Sequence, residues 1–179
     1  PLQMKKLLFA LLSLFFSGTE IKAQYNIIKI DGSLLNPIEH QSIHLERTIN
    51  WNTSIEFGLG RLNSEEISAI HGCFSLRKYK KRNSPEGLYG GPYASFEIYN
   101  IGEEKYTVSH TGIIIGYQYI IRENLTIDFF SGYVYSLYLD GGLDVIPTSV
   151  KTSPLSPLEY GLRIGFAIPK GVPFIGSYF

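Results

Sequence analysis

Leu158-Glu159-Tyr160-Gly161-Leu162-Arg163-Ile164-Gly165-Phe166-Ala167-Ile168 alternates without a break. Leu158, Tyr160, Leu162, Ile164, Phe166 and Ile168 share one face, and Glu159, Gly161, Arg163, Gly165 and Ala167 share the other. A period of two is that of a β-strand, because successive side chains leave a pleated backbone on opposite sides. One face here is wholly apolar, and the other is small or charged. A strand with lipid outside and a narrow polar lumen inside requires that division. Periodicity alone leaves open which face is inward, so a secreted lipocalin-like barrel with an apolar interior is the inverted reading of the same residues.

The pattern repeats towards the N-terminus. Leu125–Leu139 sets Leu125, Ile127, Phe129, Tyr133, Tyr135 and Leu137 against Asp128, Gly132 and Ser136, with Phe130 and Val134 interrupting the polar face. Thr111–Ile121 sets Ile113, Ile115, Tyr117, Tyr119 and Ile121 against Gly112, Gly116 and Gln118, and Leu88–Ile101 sets Leu88, Ala94, Phe96 and Ile98 against Tyr89, Tyr93, Ser95 and Glu97. Ala69–Lys80, Thr53–Leu62, Gln41–Ile49 and Asn26–Leu35 carry weaker versions of the same alternation. Eight strands follow, an even number, as an up-and-down barrel with both ends on one side needs. Asn50-Trp51-Asn52, Lys81 to Gly87 and Arg122-Glu123-Asn124 read as short turns on the side of the termini. The opposite connections fall at 36–40, 63–68, 102–105 and 140–157, and only the last is long.

Composition agrees with a barrel. The chain has 13 Tyr, 11 Phe and 18 Gly. Aromatic residues suit interfacial girdles, and glycines relieve crowding in a narrow lumen. After the first 23 residues no long apolar segment remains, so a membrane-spanning reading requires a closed barrel, which leaves no backbone group unpaired in lipid. Cys73 is the only cysteine, which excludes an internal disulfide.

The N-terminal stretch is expected to be a cleavable secretory signal peptide. Met4-Lys5-Lys6 is a basic start, Leu7 to Phe16 an apolar run, and Ile21-Lys22-Ala23-Gln24 a cleavage region. The run is shorter than the roughly 20 residues of a membrane-spanning helix. Pro1-Leu2-Gln3 lie ahead of the expected initiator Met4. The domain reading is 1–23 signal segment, 24–168 outer-membrane β-barrel and 169–179 C-terminal tail. Without Lys5, Lys6, Lys22 and Glu20 the exported chain carries a net charge of about −2, which gives no basic footprint for nucleic acid.

Leu45-Glu46-Arg47-Thr48-Ile49-Asn50-Trp51-Asn52-Thr53-Ser54-Ile55 and Ser84-Pro85-Glu86-Gly87-Leu88-Tyr89-Gly90-Gly91-Pro92-Tyr93, followed by Gly116-Tyr117-Gln118-Tyr119 and Ser131-Gly132-Tyr133, resemble stretches of a known family. It is a family of small outer-membrane β-barrels of unknown function, common in Bacteroides-type bacteria and related in architecture to the OmpA membrane domain. The resemblance covers roughly residues 25–168. It implies an all-β, eight-stranded antiparallel transmembrane barrel in the bacterial outer membrane and no catalytic residues. In the family the last strand closes on an aromatic residue. Phe166 would do so here, yet Pro169 to Phe179 follow.

The inward charged set is Lys29, Asp31, Glu46, Glu56, Arg77, Glu97, Asp128, Glu159 and Arg163, with His44 and His71. An eight-stranded barrel is just wide enough for its own side chains, and buried charges persist when paired. The set therefore reads as a plug, with a small pore as the sharper alternative. A lipid-modifying barrel enzyme is the reading from another class. Ser109-His110 near a rim, with Glu104 or Asp140 to orient the imidazole, would be its nucleophile and base. Glu65-Glu66, Glu103-Glu104 and Asp140/Asp144 read as solvated loop charge, against a bridging role with divalent cations. Arg77-Lys78 and Lys80-Lys81-Arg82 read as a basic rim on the side of the termini, and Trp51 as part of an interfacial belt. No catalytic residue, metal or cofactor is expected. The expected role is structural or surface-interacting, as a monomer among outer-membrane lipid, lipopolysaccharide and the barrel-assembly machinery.

Overall fold

The computed structural model describes residues 25–31, 40–63, 67–81, 85–101, 104–122, 124–140 and 158–169. They form β1 (Tyr25–Asp31), β2 (His40–Asn50), β3 (Thr53–Asn63), β4 (Ile67–Tyr79), β5 (Gly87–Ile101), β6 (Glu104–Ile121), β7 (Leu125–Asp140) and β8 (Leu158–Pro169). Each strand pairs antiparallel with its sequence neighbours, and β1 pairs with β8, so the sheet is a closed up-and-down barrel. Closure leaves no edge strand with unpaired backbone groups. The stretch expected to be a signal segment, residues 141–157 of the connection expected to be long, and the expected tail from 170 onward lie outside the described residues.

The strand registers fix the barrel's shape. Following paired residues from Lys29 through His44, Gly58, Cys73 and Ser95 reaches His110 on β6. The other way round, through Gly165 and Thr126, reaches Ile120 on the same strand. One circuit therefore shifts the register by ten residues. With about 3.3 Å of rise per residue and about 4.7 Å between strands, that stagger tilts the strands about 41° from the barrel axis.

The turn end of the barrel holds Tyr25, Pro169 and three tight connections. Trp51-Asn52 joins β2 to β3, and Tyr79 N–H donates to the Asn52 carbonyl at 2.7 Å. Gly87 opens β5 at a φ of 101°, which favours glycine. Arg122 turns the chain between β6 and β7 at a φ of 49°, and Asn124 N–H donates to the Ile121 carbonyl at 3.3 Å. At the other end, here called the loop end, lie the strand ends Asp31, His40, Asn63, Ile67, Ile101, Glu104, Asp140 and Leu158.

The observed strands follow the alternation closely, with two differences. Pro169, expected to open the tail, is the last residue of β8 and pairs with Tyr25. β6 begins at Glu104 rather than Thr111, so Glu104 and Lys105 belong to a strand and not to a loop. The reason is an inverted polarity. Tyr106 and Val108 point inward and are buried, while Lys105 is exposed and Thr107 and Ser109 are half-buried. A search for apolar residues on the outer face passes over such a segment.

Candidate functional site

The lumen near the turn end is filled by charge. Lys29 Nζ lies 2.5 Å from Glu46 Oε2, 2.9 Å from Glu56 Oε2 and 2.8 Å from Asp128 Oδ2. Arg77 Nη2 lies 2.5 Å from Glu56 Oε1, and its Nη1 lies 2.7 Å from Asp128 Oδ2 and 3.5 Å from Glu46 Oε2. Arg163 Nη1 reaches Glu56 Oε1 at 2.8 Å, and its Nε is 3.9 Å from Asp31 Oδ2. The strands bring these groups together because all of them occupy lumen-facing positions and the stagger carries those positions to one height. Lys29, Glu46, Arg77 and Asp128 have 0% exposure. Three cations face three carboxylates at the centre, so the plug is neutral before Asp31 is added.

Neutral donors complete it. Tyr79 OH donates to Glu46 Oε1 at 2.6 Å, Tyr89 OH donates to Asp128 Oδ1 at 2.7 Å, and Ser54 Oγ donates to Glu46. The Arg77 guanidinium sits 4.5 Å from the Tyr89 ring centroid, and that of Arg163 sits 3.9 Å from the Phe130 centroid. Multiple hydrogen bonds to each carboxylate are what make a buried ion cluster tolerable. Tight glycines make room for it. A Cβ on Gly165 would meet the Lys29 side chain, and one on Gly161 would meet the Phe130 ring.

A second cluster sits nearer the loop end. Glu97 Oε1 is 3.1 Å from His71 Nδ1, Glu97 Oε2 is 3.8 Å from His110 Nε2, and Tyr99 OH donates to Glu97. His110 Nδ1 is 2.8 Å from Ser136 Oγ. Tyr93 OH donates to Glu159 Oε1 at 2.8 Å. Between the clusters lies buried Cys73, its Sγ 3.7 Å from His44 Nδ1. All nine expected lumen residues thus face inward. Lys29, Asp31, Glu46, Glu56, Arg77, Asp128 and Arg163 form one network, whereas Glu97 and Glu159 stand apart from it.

Two expectations need correction. Ser109 and His110 cannot act as a nucleophile–base pair. As neighbours on a strand they leave on opposite faces, and His110 is buried in the lumen beside Ser136 and Glu97 instead of standing at the rim. The side chains of Glu104 and Asp140 lie outside the described residues; Glu97 is the carboxylate near the imidazole. The run Arg77-Lys78 is not a single basic rim, because Arg77 is buried in the plug and Lys78 is exposed outside. Phe130 and Val134, which interrupt the polar face of β7, are lumen residues that pack with Ile114, Tyr79, Tyr89 and Tyr93. Tyr79 was missed as a plug residue, although its odd position beside inward Arg77 carried the signal. Among the described residues no group of three or more His, Cys, Asp or Glu side chains is placed to hold a metal ion.

The exterior is the inverse of the lumen. Ile43, Leu59, Ile113, Ile115, Phe129, Tyr133, Tyr135, Tyr160 and Phe166 are all exposed, Tyr160 to 81%. The apolar face of β8 runs from Leu158 to Ile168, ten residues of rise, or about 25 Å along the axis at the tilt above. At the loop end of β4–β6 the polarity reverses. Ala69, Tyr99, Tyr106 and Val108 pack inside with Leu62, while Asn63, Asn100 and Lys105 are exposed outside. The outer apolar belt therefore has a definite upper boundary. No family model matches the chain, and no curated protein or solved structure matches it.

Proposed function

We propose that the chain is an outer-membrane β-barrel protein whose lumen is closed by side chains, with a structural or surface-interacting role. One observation carries the reading: charged residues fill the barrel and large apolar residues cover it. In water that arrangement wastes the hydrophobic effect and desolvates ions. In a bilayer the belt is solvated by lipid, and its height of about 25 Å equals that of the apolar band of outer-membrane barrels. The polarity switch above the belt fits a part of the barrel that stands in water. The N-terminal signal features and the resemblance to small Bacteroides-type outer-membrane barrels support export to that membrane. Short turns then face the periplasm and the 140–157 connection faces outside, where a surface partner would meet it. Lipopolysaccharide and phospholipid are its lipid partners, insertion is by the barrel-assembly machinery, and the barrel acts as a monomer.

Membrane fractionation with a gel-shift assay tests the reading. The chain is expected in the outer-membrane fraction, migrating faster unboiled than boiled. Recovery in the soluble periplasm without a shift would overturn it. A lumen closed by side chains predicts that reconstitution in planar bilayers gives no steady conductance, and regular channel steps would overturn the closed lumen.

A further inference from the structure

We infer that the last part of the β4–β5 connection, Pro85 to Gly87, is a stopper in the turn-end mouth of the lumen, held by Gln118, and that it seals the barrel in series with the charged plug. The inference rests on the closed-lumen reading above and adds a second seal to it. Gln118 faces inward on β6 with 0% exposure, and its Nε2 donates to the Pro85 carbonyl at 2.6 Å. Its Oε1, also buried, has no hydrogen-bond partner among the described residues. Exchanging the two amide atoms would set two carbonyl oxygens face to face, so Nε2 is the atom that holds the turn. The unpaired oxygen is a cost that an apolar residue at this lumen position would not carry, so Gln118 serves the turn rather than its own strand.

The registers place this hold directly under the plug. The pairing path from Lys29 through Gly165 and Thr126 to Ile120 descends three strands, about 9 Å along the axis, and Gln118 stands two residues, about 5 Å, above Ile120. Gln118 is therefore about 4 Å nearer the turn end than Lys29. It pairs with Asp128 of the plug on one side and with Gly87 on the other. Gly87 is buried and turns the chain at a φ of 101°, and Pro85 is buried as well. Lys80 N–H donates to the Leu88 carbonyl at 2.9 Å, which closes the neck of the connection, and a Cβ on Gly87 would lie 3.5 Å from Lys81 Cδ. The interior of an eight-stranded barrel is just wide enough for its own side chains, so a proline and a glycine buried at the mouth occupy its cross-section. A path from the turn end meets Pro85 first and the charged plug second.

The hold and the seal have separate readouts. Trypsin can cut after Lys80 and Lys81, both exposed, and fragment masses identify the cuts. Cleavage of a locally opened segment tracks its open population, and one lost hydrogen bond raises that population up to about tenfold. The folded chain in detergent should therefore be cut at these lysines several-fold faster in Gln118→Ala than when unaltered. In planar bilayers, Arg77→Ser/Asp128→Ser removes part of the plug and leaves Lys29 and Arg163 balanced by Glu46 and Glu56. That variant should stay closed, and adding Pro85→Gly/Gln118→Ala should give steady channel steps. The gel shift shows that each variant is folded; if Arg77→Ser/Asp128→Ser does not fold, Lys29→Ser/Glu46→Ser removes another balanced pair in its place. Unchanged cleavage of Gln118→Ala would overturn the hold. Steady conductance from the plug variant alone, or a closed barrel with all four changes, would overturn the second seal. Steady conductance from the unaltered chain would overturn the closed-lumen reading itself, whatever trypsin reports.

Discussion

Arg77→Met tests whether the plug holds the barrel together. Arg77 is fully buried and touches all three central carboxylates: Glu56 at 2.5 Å, Asp128 at 2.7 Å and Glu46 at 3.5 Å. Met keeps most of the length and volume but removes the charge. Lys29 and Arg163 then face Glu46, Glu56 and Asp128, so the lumen gains one uncompensated negative charge. Removing one partner from a buried ion cluster costs about 3–5 kcal/mol. The cost comes mainly from the stranded carboxylates, so the second change Asp128→Asn should relieve it. The amide would restore the charge balance and still accept the Tyr89 hydroxyl. The double variant should recover at least half of the loss, with a coupling of about 1.5–3 kcal/mol. Denaturant unfolding in lipid vesicles, followed through Trp51 fluorescence and the folded gel band, measures both values. A loss below about 1 kcal/mol for Arg77→Met, or additive effects in the double variant, would refute the reasoning and assign barrel stability to the backbone ladder and the belt alone.

Three further outcomes follow from the same geometry. Ile113→Arg places a charge on the outer belt where the side chain is 64% exposed; it should lower stability in vesicles by about 2–4 kcal/mol, and an unchanged unfolding curve would mean that lipid does not cover that face. Gly161→Ala pushes a methyl group into the Phe130 ring and should cost about 1–3 kcal/mol by overpacking; Phe130→Leu in the same chain should return part of it, and no relief would place the strain elsewhere. Cys73 lies buried in the lumen between the two polar clusters, so a bulky maleimide should label it only after unfolding, and rapid labelling of the folded barrel would show an open lumen.

The barrel was legible because its rule is local. Each strand of a barrel with unlike inner and outer faces must alternate, and Leu158–Ile168 does so at every position, so strand and length follow from residues alone, whereas which face turns inward does not. The lumen set was legible for the same reason: Lys29, Glu46, Glu56, Arg77, Asp128 and Arg163 all sit at polar positions of alternating segments. Which of them meet was not legible. Glu56 contacts Arg163 across 107 residues, and that contact depends on a register shift summed around eight strands. Glu97 separates from the others for the same reason, since its height in the lumen is set by the stagger and not by its neighbours in sequence. The loop-end part of β6 was illegible in another way. Tyr106 and Val108 obey the polarity of a water-soluble strand, so a lipid-facing template rejects the very residues that pair with β5.

On the outer-membrane reading proposed above, the charged lumen and the export route would constrain each other. A spanning strand needs apolar residues only on its outer face, so its sequence alternates and never builds the continuous stretch of about 20 apolar residues that would stop a chain in the inner membrane. The mean hydropathy of +0.03 over the chain reflects that averaging. An apolar filling would have spared the desolvation of six charges, since hydrophobic replacements of buried ion clusters are often neutral or stabilising. It would also have turned Glu46, Glu56, Arg77 and their neighbours into apolar links between outward Leu45, Phe57 and Leu76, making long hydrophobic runs of β2–β4. On this argument the plug is set by the unfolded chain's passage to the outer membrane as much as by the folded barrel. A chain with Glu46, Glu56, Arg77 and Asp128 all replaced by size-matched apolar residues should then fold in detergent but fail to reach the outer membrane. Normal outer-membrane yield of that variant would leave the folded state as the sole reason for the charges.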